Sequence, residues 1–246
     1  MITVGQALAQ SGLVPVDAQV LLAYVVGNTR AWVTAHGDEL LTPNDAARFF
    51  SLARRRRDGQ PIAYLTGVRE FWGLSLFVTQ NVMIPRPETE TLVERALARL
   101  APHRESHVLD LGTGSGAIAL ALARERPRAQ IVATDVSEAA LRVAGANAKR
   151  LGLYNVSFIL ADWYEGVEMT PSRSAFDAVV SNPPYIAAGD WHLGQGDLRR
   201  IRPSPSGVSA PESRAARPLR SSWTNQVRQS VVCGARGITG SRLRDA

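Results

Sequence analysis

From His107 onward the chain alternates short apolar runs with amphipathic ones, and this alternation constrains its fold more than any other feature. Residues 107–111, 131–134, 156–160 and 176–180 read as strands, with helices over 117–126 and 138–151. Strands separated by helices of this length need right-handed crossovers, which predicts an α/β fold with a parallel, doubly wound sheet. No fixed-period repeat runs through the chain, so a solenoid or propeller is excluded.

The first 75 or so residues have a different grammar, which is helical. Thr3 with Gln6 forms a capping box, and Pro15-Val16-Asp17 opens a run that Gly27 closes. Thr42-Pro43-Asn44-Asp45 places an N-cap threonine, a first-turn proline and an acid in the order a helix start favours. That helix is expected to end at Asp58-Gly59, with Arg54 to Arg57 as a solvated end that suits the helix dipole. A strand-like stretch follows at 74–78. Pro85-Arg86-Pro87 interrupts the chain, and an amphipathic helix is expected over 88–100. The expected layout is a helical domain over 1–73, a linker with a short strand or hairpin over 74–87, a ligand-binding α/β domain over 88–198, and a basic tail over 199–246.

Composition matters most in that tail. The whole chain has 246 residues and a net charge of +6, but residues 199–246 hold ten arginines against two acids. Residues 1–198 hold 18 basic and 20 acidic side chains, so the part expected to fold is close to neutral. This argues against a nucleic-acid-binding α/β domain. Arg, Ser, Pro and Gly supply 26 of the 48 tail residues, without helical or strand periodicity, and the expectation there is disorder. Cys233 is the only cysteine, which excludes an internal disulfide and a multi-cysteine zinc site. The four histidines (36, 103, 107 and 192) lack metal-ligand spacing, so no metal is expected. No apolar run approaches the roughly 20 residues of a membrane span, and the N-terminus lacks a secretory pattern, so the expected setting is cytoplasmic.

Two motifs carry chemistry. Asp110-Leu111-Gly112-Thr113-Gly114-Ser115-Gly116 ends the first parallel strand, where glycines let the backbone turn tightly and approach a ligand at a helix N-terminus. Asp135 ends the next strand, placed to accept ribose hydroxyls. An adenosine-type cofactor fits, yet Gly112, Gly114 and Ala117 also satisfy a nicotinamide-cofactor fingerprint, so the loop alone leaves the cofactor open. A P-loop is excluded because Lys149 is the only lysine, and Thr113 excludes a nucleophile elbow at Ser115.

The second motif, Asn182-Pro183-Pro184-Tyr185, follows the fourth strand, at the crevice end of the sheet. The prolines remove N–H donors and stiffen the loop. The Asn182 carboxamide oxygen and the Pro183 carbonyl can hold both hydrogens of a planar NH2 group, and Tyr185 offers a face for a flat substrate. The nitrogen lone pair is then left towards an electrophile, which suits alkylation of an amide or aromatic amine.

Together with Ala161-Asp162-Trp163, these motifs resemble the class I S-adenosylmethionine-dependent methyltransferases that act on nitrogen. The stretches 59–67, Arg69-Glu70-Phe71-Trp72 and Ile84-Pro85-Arg86-Pro87-Glu88-Thr89-Glu90 narrow the resemblance to the peptide chain release factor glutamine methyltransferases, the HemK/PrmC family. It runs to about Arg199. It implies a Rossmann-like sheet behind a small N-terminal helical domain that helps dock the protein substrate. S-adenosyl-L-methionine would lie against Gly112, Thr113, Gly114, Ser115 and Gly116, with its ribose at Asp135, its adenine near Trp163 and its reactive end near Asn182. Asn182, Pro183, Pro184 and Tyr185 would grip the glutamine of the Gly-Gly-Gln loop of a bacterial release factor, with Asn182, Pro183 and Tyr185 as the catalytic set. Arg86 and Glu88 lie in a segment that borders the cofactor in such enzymes, an interdomain ion pair being the other reading. The expected enzyme is a monomer with no membrane or specific nucleic-acid partner.

The chain departs from that family after Gly196-Asp197-Leu198-Arg199, where an aromatic-Glu-Pro step and further strands are expected, and at Trp191, where proline is expected. The abrupt change reads as translation in another frame; a strand and helix pattern in an alternative frame of the coding DNA is the check, and its absence would exclude the idea. With the later strands apparently missing, the fourth strand becomes an exposed apolar edge and activity is expected to be weak or absent. Two other functions compete: a DNA adenine-amino methyltransferase, since Asn-Pro-Pro-Tyr also suits a flipped base, and a non-enzymatic nucleic-acid-binding protein using its basic tail.

Overall fold

In the computed structural model, residues 1–163, 167 and 176–182 are described, together with the backbone of 231–233. Pro183, Pro184, Tyr185, Trp191 and the tail apart from 231–233 lie outside the described residues. The chain divides into two compact units, the first comprising Met1–Gly67 and the second starting at Val68.

The first unit is built by its caps. α1 (Val4–Gln10) starts with the reciprocal pair in which Gln6 N–H donates to Thr3 Oγ1 at 3.2 Å and Thr3 N–H to Gln6 Oε1 at 3.1 Å. Proline opens both α2 (Pro15–Val26) and α4 (Pro43–Arg57), and Gly27 closes α2 in the left-handed region. α3 (Arg30–Ala35) and α5 (Ile62–Thr66) complete the unit. Val4, Leu21, Leu22, Val33 and Phe49 are fully buried in its core. Arg54, Arg55 and Arg57 are exposed, as expected of a solvated helix end, but the block also makes specific bonds. Arg56 Nε pairs with Asp17 Oδ2 at 2.7 Å, Arg55 Nε donates to Gln60 Oε1 at 2.9 Å, and Arg57 donates to the Ser11 carbonyl. Arg56 thus ties the end of α4 to α2 and Arg57 ties it to the turn after α1, while Arg55 braces the segment that follows α4.

The second unit begins with an antiparallel hairpin, β1 (Val68–Phe71) and β2 (Leu74–Phe77), so the helical reading of this stretch fails from Val68 onward. Phe71 pairs with Leu74, leaving Trp72 and Gly73 as a two-residue turn with φ of 52° and 65°. Such a turn normally announces itself as Asn-Gly, and a tryptophan in its first place hides the signal. The strained Trp72 backbone is held from three sides: its N–H donates to Glu90 Oε1 at 2.9 Å, its indole N–H to Glu125 Oε1 at 3.0 Å, and its carbonyl accepts from Arg124.

A short 3-10 turn at Pro87–Thr89 leads into α6 (Glu90–Leu97), and the alternation then proceeds as expected. β3 (His107–Leu111), α7 (Ala117–Glu125), β4 (Gln130–Asp135), α8 (Glu138–Leu151), β5 (Val156–Leu160) and β6 (Ala178–Ser181) follow in turn. All pairs in this sheet are parallel, in the order β5-β4-β3-β6-β7, where β7 is Val231–Cys233. Alternate residues serve opposite faces. Val108, Ile131, Ala133, Ala178 and Val180 pack with α6, α7 and the hairpin, while Leu109, Leu111, Val132 and Val179 pack with Ala161, Val167 and Phe176. The expectation of an unpaired edge at the fourth strand is corrected by β7, whose Val231–Cys233 backbone lies in register with residues 179–181.

Candidate active site

The strand order reverses between β3 and β6, and at such a switch point the loops leaving the two strands part and open a crevice. Leu111 pairs with Ser181, whose hydroxyl donates to the Leu111 carbonyl at 3.0 Å. The next residues on the two strands, Gly112 and Asn182, therefore leave the sheet side by side. This brings together the two sequence motifs, which are 70 residues apart along the chain at this pair.

The glycine loop is shaped by β4. Gly112 and Thr113 both donate their N–H to the Thr134 carbonyl at 2.9 Å, and Gly116 N–H closes the turn onto the Thr113 carbonyl at 2.9 Å. Gly112, Gly114 and Gly116 have φ of 73°, 57° and 84°, a region side-chain-bearing residues avoid. The three glycines differ in what surrounds them. A Cβ on Gly116 would come within 3.0 Å of Leu120 Cδ1 and 3.2 Å of Ala144 Cβ, so this glycine serves helix packing. Among the described residues, chain neighbours apart, no heavy atom lies within 4 Å of the Cβ position of Gly112 or Gly114, and that open space is where a ligand can meet the backbone.

Asp135, half-buried at the end of β4, accepts from Gly114 N–H through Oδ2 and from Ser137 N–H through Oδ1, both at 2.9 Å. Each oxygen keeps a second lone pair, so the carboxylate can still take two ribose hydroxyls. Asp110 is fully buried beneath the loop. Its Oδ2 accepts from the Thr113 hydroxyl at 2.7 Å, while Oδ1 has no partner among the described residues. Burial pushes its carboxyl up to about 7; the Thr113 hydroxyl and the Ala119 amide pull it back down, and Asp135 adds to the rise. The Ala119 amide offsets burial only in part, so a buried carboxyl under an open glycine loop fits a cationic group on a bound ligand.

Trp163 follows β5 in the left-handed region, with φ of 60°. Its carbonyl accepts from the Thr134 hydroxyl at 3.0 Å, and its half-buried ring packs against the cluster containing Leu109, Leu111 and Val132. Thr134 thus joins the glycine loop to the Trp163 turn, a role no sequence motif signals. Asn182 is half-buried and donates from Nδ2 to Thr89 Oγ1 at 2.9 Å. This bond ties the carboxamide to the turn before α6. Arg86 and Glu88, beside Thr89 in sequence, are exposed.

Residues 102–206 match the family model of a methyltransferase domain, and residues 3–67 match that of the PrmC N-terminal domain. The release factor glutamine methyltransferase of Bordetella pertussis is 48% identical over 192 residues, covering 78% of this chain and 70% of that protein. The protein of the same name from Escherichia coli is 49% identical over 183 residues, covering 74% and 64%. That of Xylella fastidiosa is 52% identical over 189 residues, covering 77% and 67%. The chain spans 64–70% of the length of these curated relatives.

Proposed function

Because this chain belongs to the release factor glutamine methyltransferase family, we propose that it methylates the side-chain amide nitrogen of the glutamine in the Gly-Gly-Gln loop of bacterial peptide chain release factors. The observation that carries this reading is the pairing of an open glycine loop over the buried Asp110 carboxyl with the Asn182 carboxamide just after the adjacent strand, held by Thr89. S-adenosyl-L-methionine, when bound, supplies a sulfonium methyl group that passes to nitrogen, the sulfur keeping the electron pair of the broken bond and the nitrogen giving up one proton. The loop from Gly112 to Ser115 holds the cofactor by backbone, with Gly116 packing that loop onto its helix; Asp135 takes the ribose hydroxyls, and the Asp110 carboxyl serves its ammonium group.

Asn182, with Pro183, Pro184 and Tyr185, grips the substrate amide. Its Nδ2 donates to Thr89, and its Oδ1 accepts from the substrate N–H. Accepting from the nitrogen favours the partial positive charge that grows there during transfer. The methyl donor is already activated, so the protein's main contribution is alignment of the nitrogen. Trp163 borders the adenine end, and the N-terminal helical unit docks the release factor. The protein acts as a cytoplasmic monomer without a nucleic-acid partner, and the departure after Arg199 lowers its turnover relative to longer relatives.

Transfer from labelled S-adenosylmethionine tests this, with unmodified release factor and unmethylated DNA offered in parallel and a longer relative as positive control. Label on the release-factor glutamine is expected. Label on DNA instead would replace the substrate assignment, and no label beside an active relative would show that the altered C-terminal segment has cost this chain its turnover.

A further inference from the structure

The hairpin leaves one residue with its backbone groups turned away from its partner strand. With Phe71 and Leu74 closing the two-residue turn, hydrogen-bonded and non-hydrogen-bonded pairs alternate along the ladder, and the pair Val68–Phe77 falls on a non-hydrogen-bonded step. The N–H and C=O of Phe77 therefore face outward, where each needs a partner. Asn147 of α8 supplies both. Phe77 N–H donates to Asn147 Oδ1 at 2.7 Å, and Asn147 Nδ2 donates to the Phe77 carbonyl at 3.0 Å, so the side chain stands in for a neighbouring strand. The remaining hydrogen of Nδ2 goes to the carbonyl of Ser115, in the glycine loop, also at 3.0 Å.

Asn147 is fully buried, and all three of these bonds run to backbone. Its orientation is fixed by chemistry, since two carbonyls demand the NH2 end and one amide demands the oxygen. Neighbouring turns of α8 reinforce the contact. Ala144 sits where a side chain on Gly116 would project, and the Arg150 guanidinium lies 4.5 Å from the centre of the Phe77 ring. One row of a helix thus touches the loop, the edge of β2 and the last ring of the hairpin.

We propose that Asn147 is a positioning residue of the cofactor loop, coupling the outer edge of β2 to the Ser115 carbonyl so that the placement of the hairpin sets the placement of the loop. The inference rests on the reading of Gly112–Gly116 as the S-adenosylmethionine loop. Without Asn147 the Ser115 carbonyl and both polar groups of Phe77 lose their shared partner, while the loop keeps its bonds to β4, to Asp110 of β3 and to Leu120 of α7.

The test uses the full chain, Asn147→Ala, and Asn155→Ala as a control. Asn155 makes three comparable Nδ2 bonds, to the carbonyls of Ala123, Arg126 and Ala129, at the turn before β4. Hydrogen exchange of the cofactor-free proteins is expected to quicken at least tenfold at Phe77 and across Gly112–Gly116 in Asn147→Ala, and at neither place in Asn155→Ala. The Kd for S-adenosylhomocysteine is expected to rise at least tenfold in the first variant and to stay within twofold in the second. Faster exchange at Phe77 alone, or an unchanged Kd in Asn147→Ala, would overturn the coupling. Should the alanine variant fail to unfold cooperatively, Asn147→Ser carries the same expectations. Failure of the unaltered chain to bind S-adenosylhomocysteine would refute the cofactor reading, while the exchange comparison would still decide whether Asn147 couples hairpin to loop.

Discussion

The Thr89 hydroxyl accepts a 2.9 Å hydrogen bond from the Asn182 carboxamide nitrogen across 93 residues of sequence. It joins the short turn before α6 to the residue that leaves β6 at the crevice, and it holds the carboxamide there.

Replacing Thr89 by valine keeps the shape and removes this partner, so the Asn182 amide loses its tie to the turn before α6. Misplacing a group that aligns the reacting atom costs up to about 100-fold in rate. The expected outcome is a kcat lowered by about 10- to 100-fold with cofactor Kd within a few-fold of the parent, and Thr89→Ser restoring most of the rate. Steady-state kinetics with release factor, beside cofactor titration, checks it; an unchanged kcat in Thr89→Val would remove Thr89 from the assignment.

Asn182→Ala goes further, because it deletes the acceptor itself. Transfer should fall below detection while S-adenosylhomocysteine still binds through the glycine loop and Asp135. Measurable transfer at parental rate would refute the role given to Asn182.

The glycines separate folding from binding. Gly116→Ala places a methyl group 3.0 Å from Leu120 Cδ1 in a left-handed backbone, and strain plus overpacking predicts a loss of about 2–4 kcal/mol of stability. Gly114→Ala meets no atom of the described residues within 4 Å, its chain neighbours apart, so the backbone cost of about 1–2 kcal/mol applies. Its larger effect should be on the Kd of the cofactor, whose space the methyl enters. Urea denaturation and calorimetric titration of the two variants distinguish these outcomes, and equal stability losses with equal affinities would contradict the division.

Asp110 gives the site a pH signature. Burial raises its carboxyl from the ordinary 3.8 to about 7, so between these values the folded protein holds a proton that the unfolded chain has released. Its contribution to stability is therefore full below about pH 4 and is lost as pH rises towards 7. Cofactor affinity runs the other way, because an ionised Oδ1 attracts an ammonium group better than a neutral acid does. Asp110→Asn should flatten both dependences. Denaturation and S-adenosylhomocysteine titration across pH 5–8 measure them, and a wild-type affinity independent of pH would exclude Asp110 from the ligand's cationic end.

What the sequence determined by itself is what neighbouring residues enforce. Thr3 with Gln6, Thr42 with Asp45, and Gly27 fix helix ends through bonds spanning three or four residues, and the strand and helix periods from His107 onward follow from which face each residue buries. The glycine loop and Asp135 were legible for the same reason, since a tight turn after a strand needs glycine where φ is positive. Tertiary structure alone decided the rest. Asn147 and Thr89 read in sequence as ordinary polar residues, and their partners lie 70 and 93 residues away. Arg56 looked like a solvated cation until folding brought Asp17 to it, and Trp72 concealed a turn held by Glu90, Glu125 and Arg124. A hydrogen bond is short-ranged and directional, so a side chain's partner is known only once the packing of distant elements has chosen it.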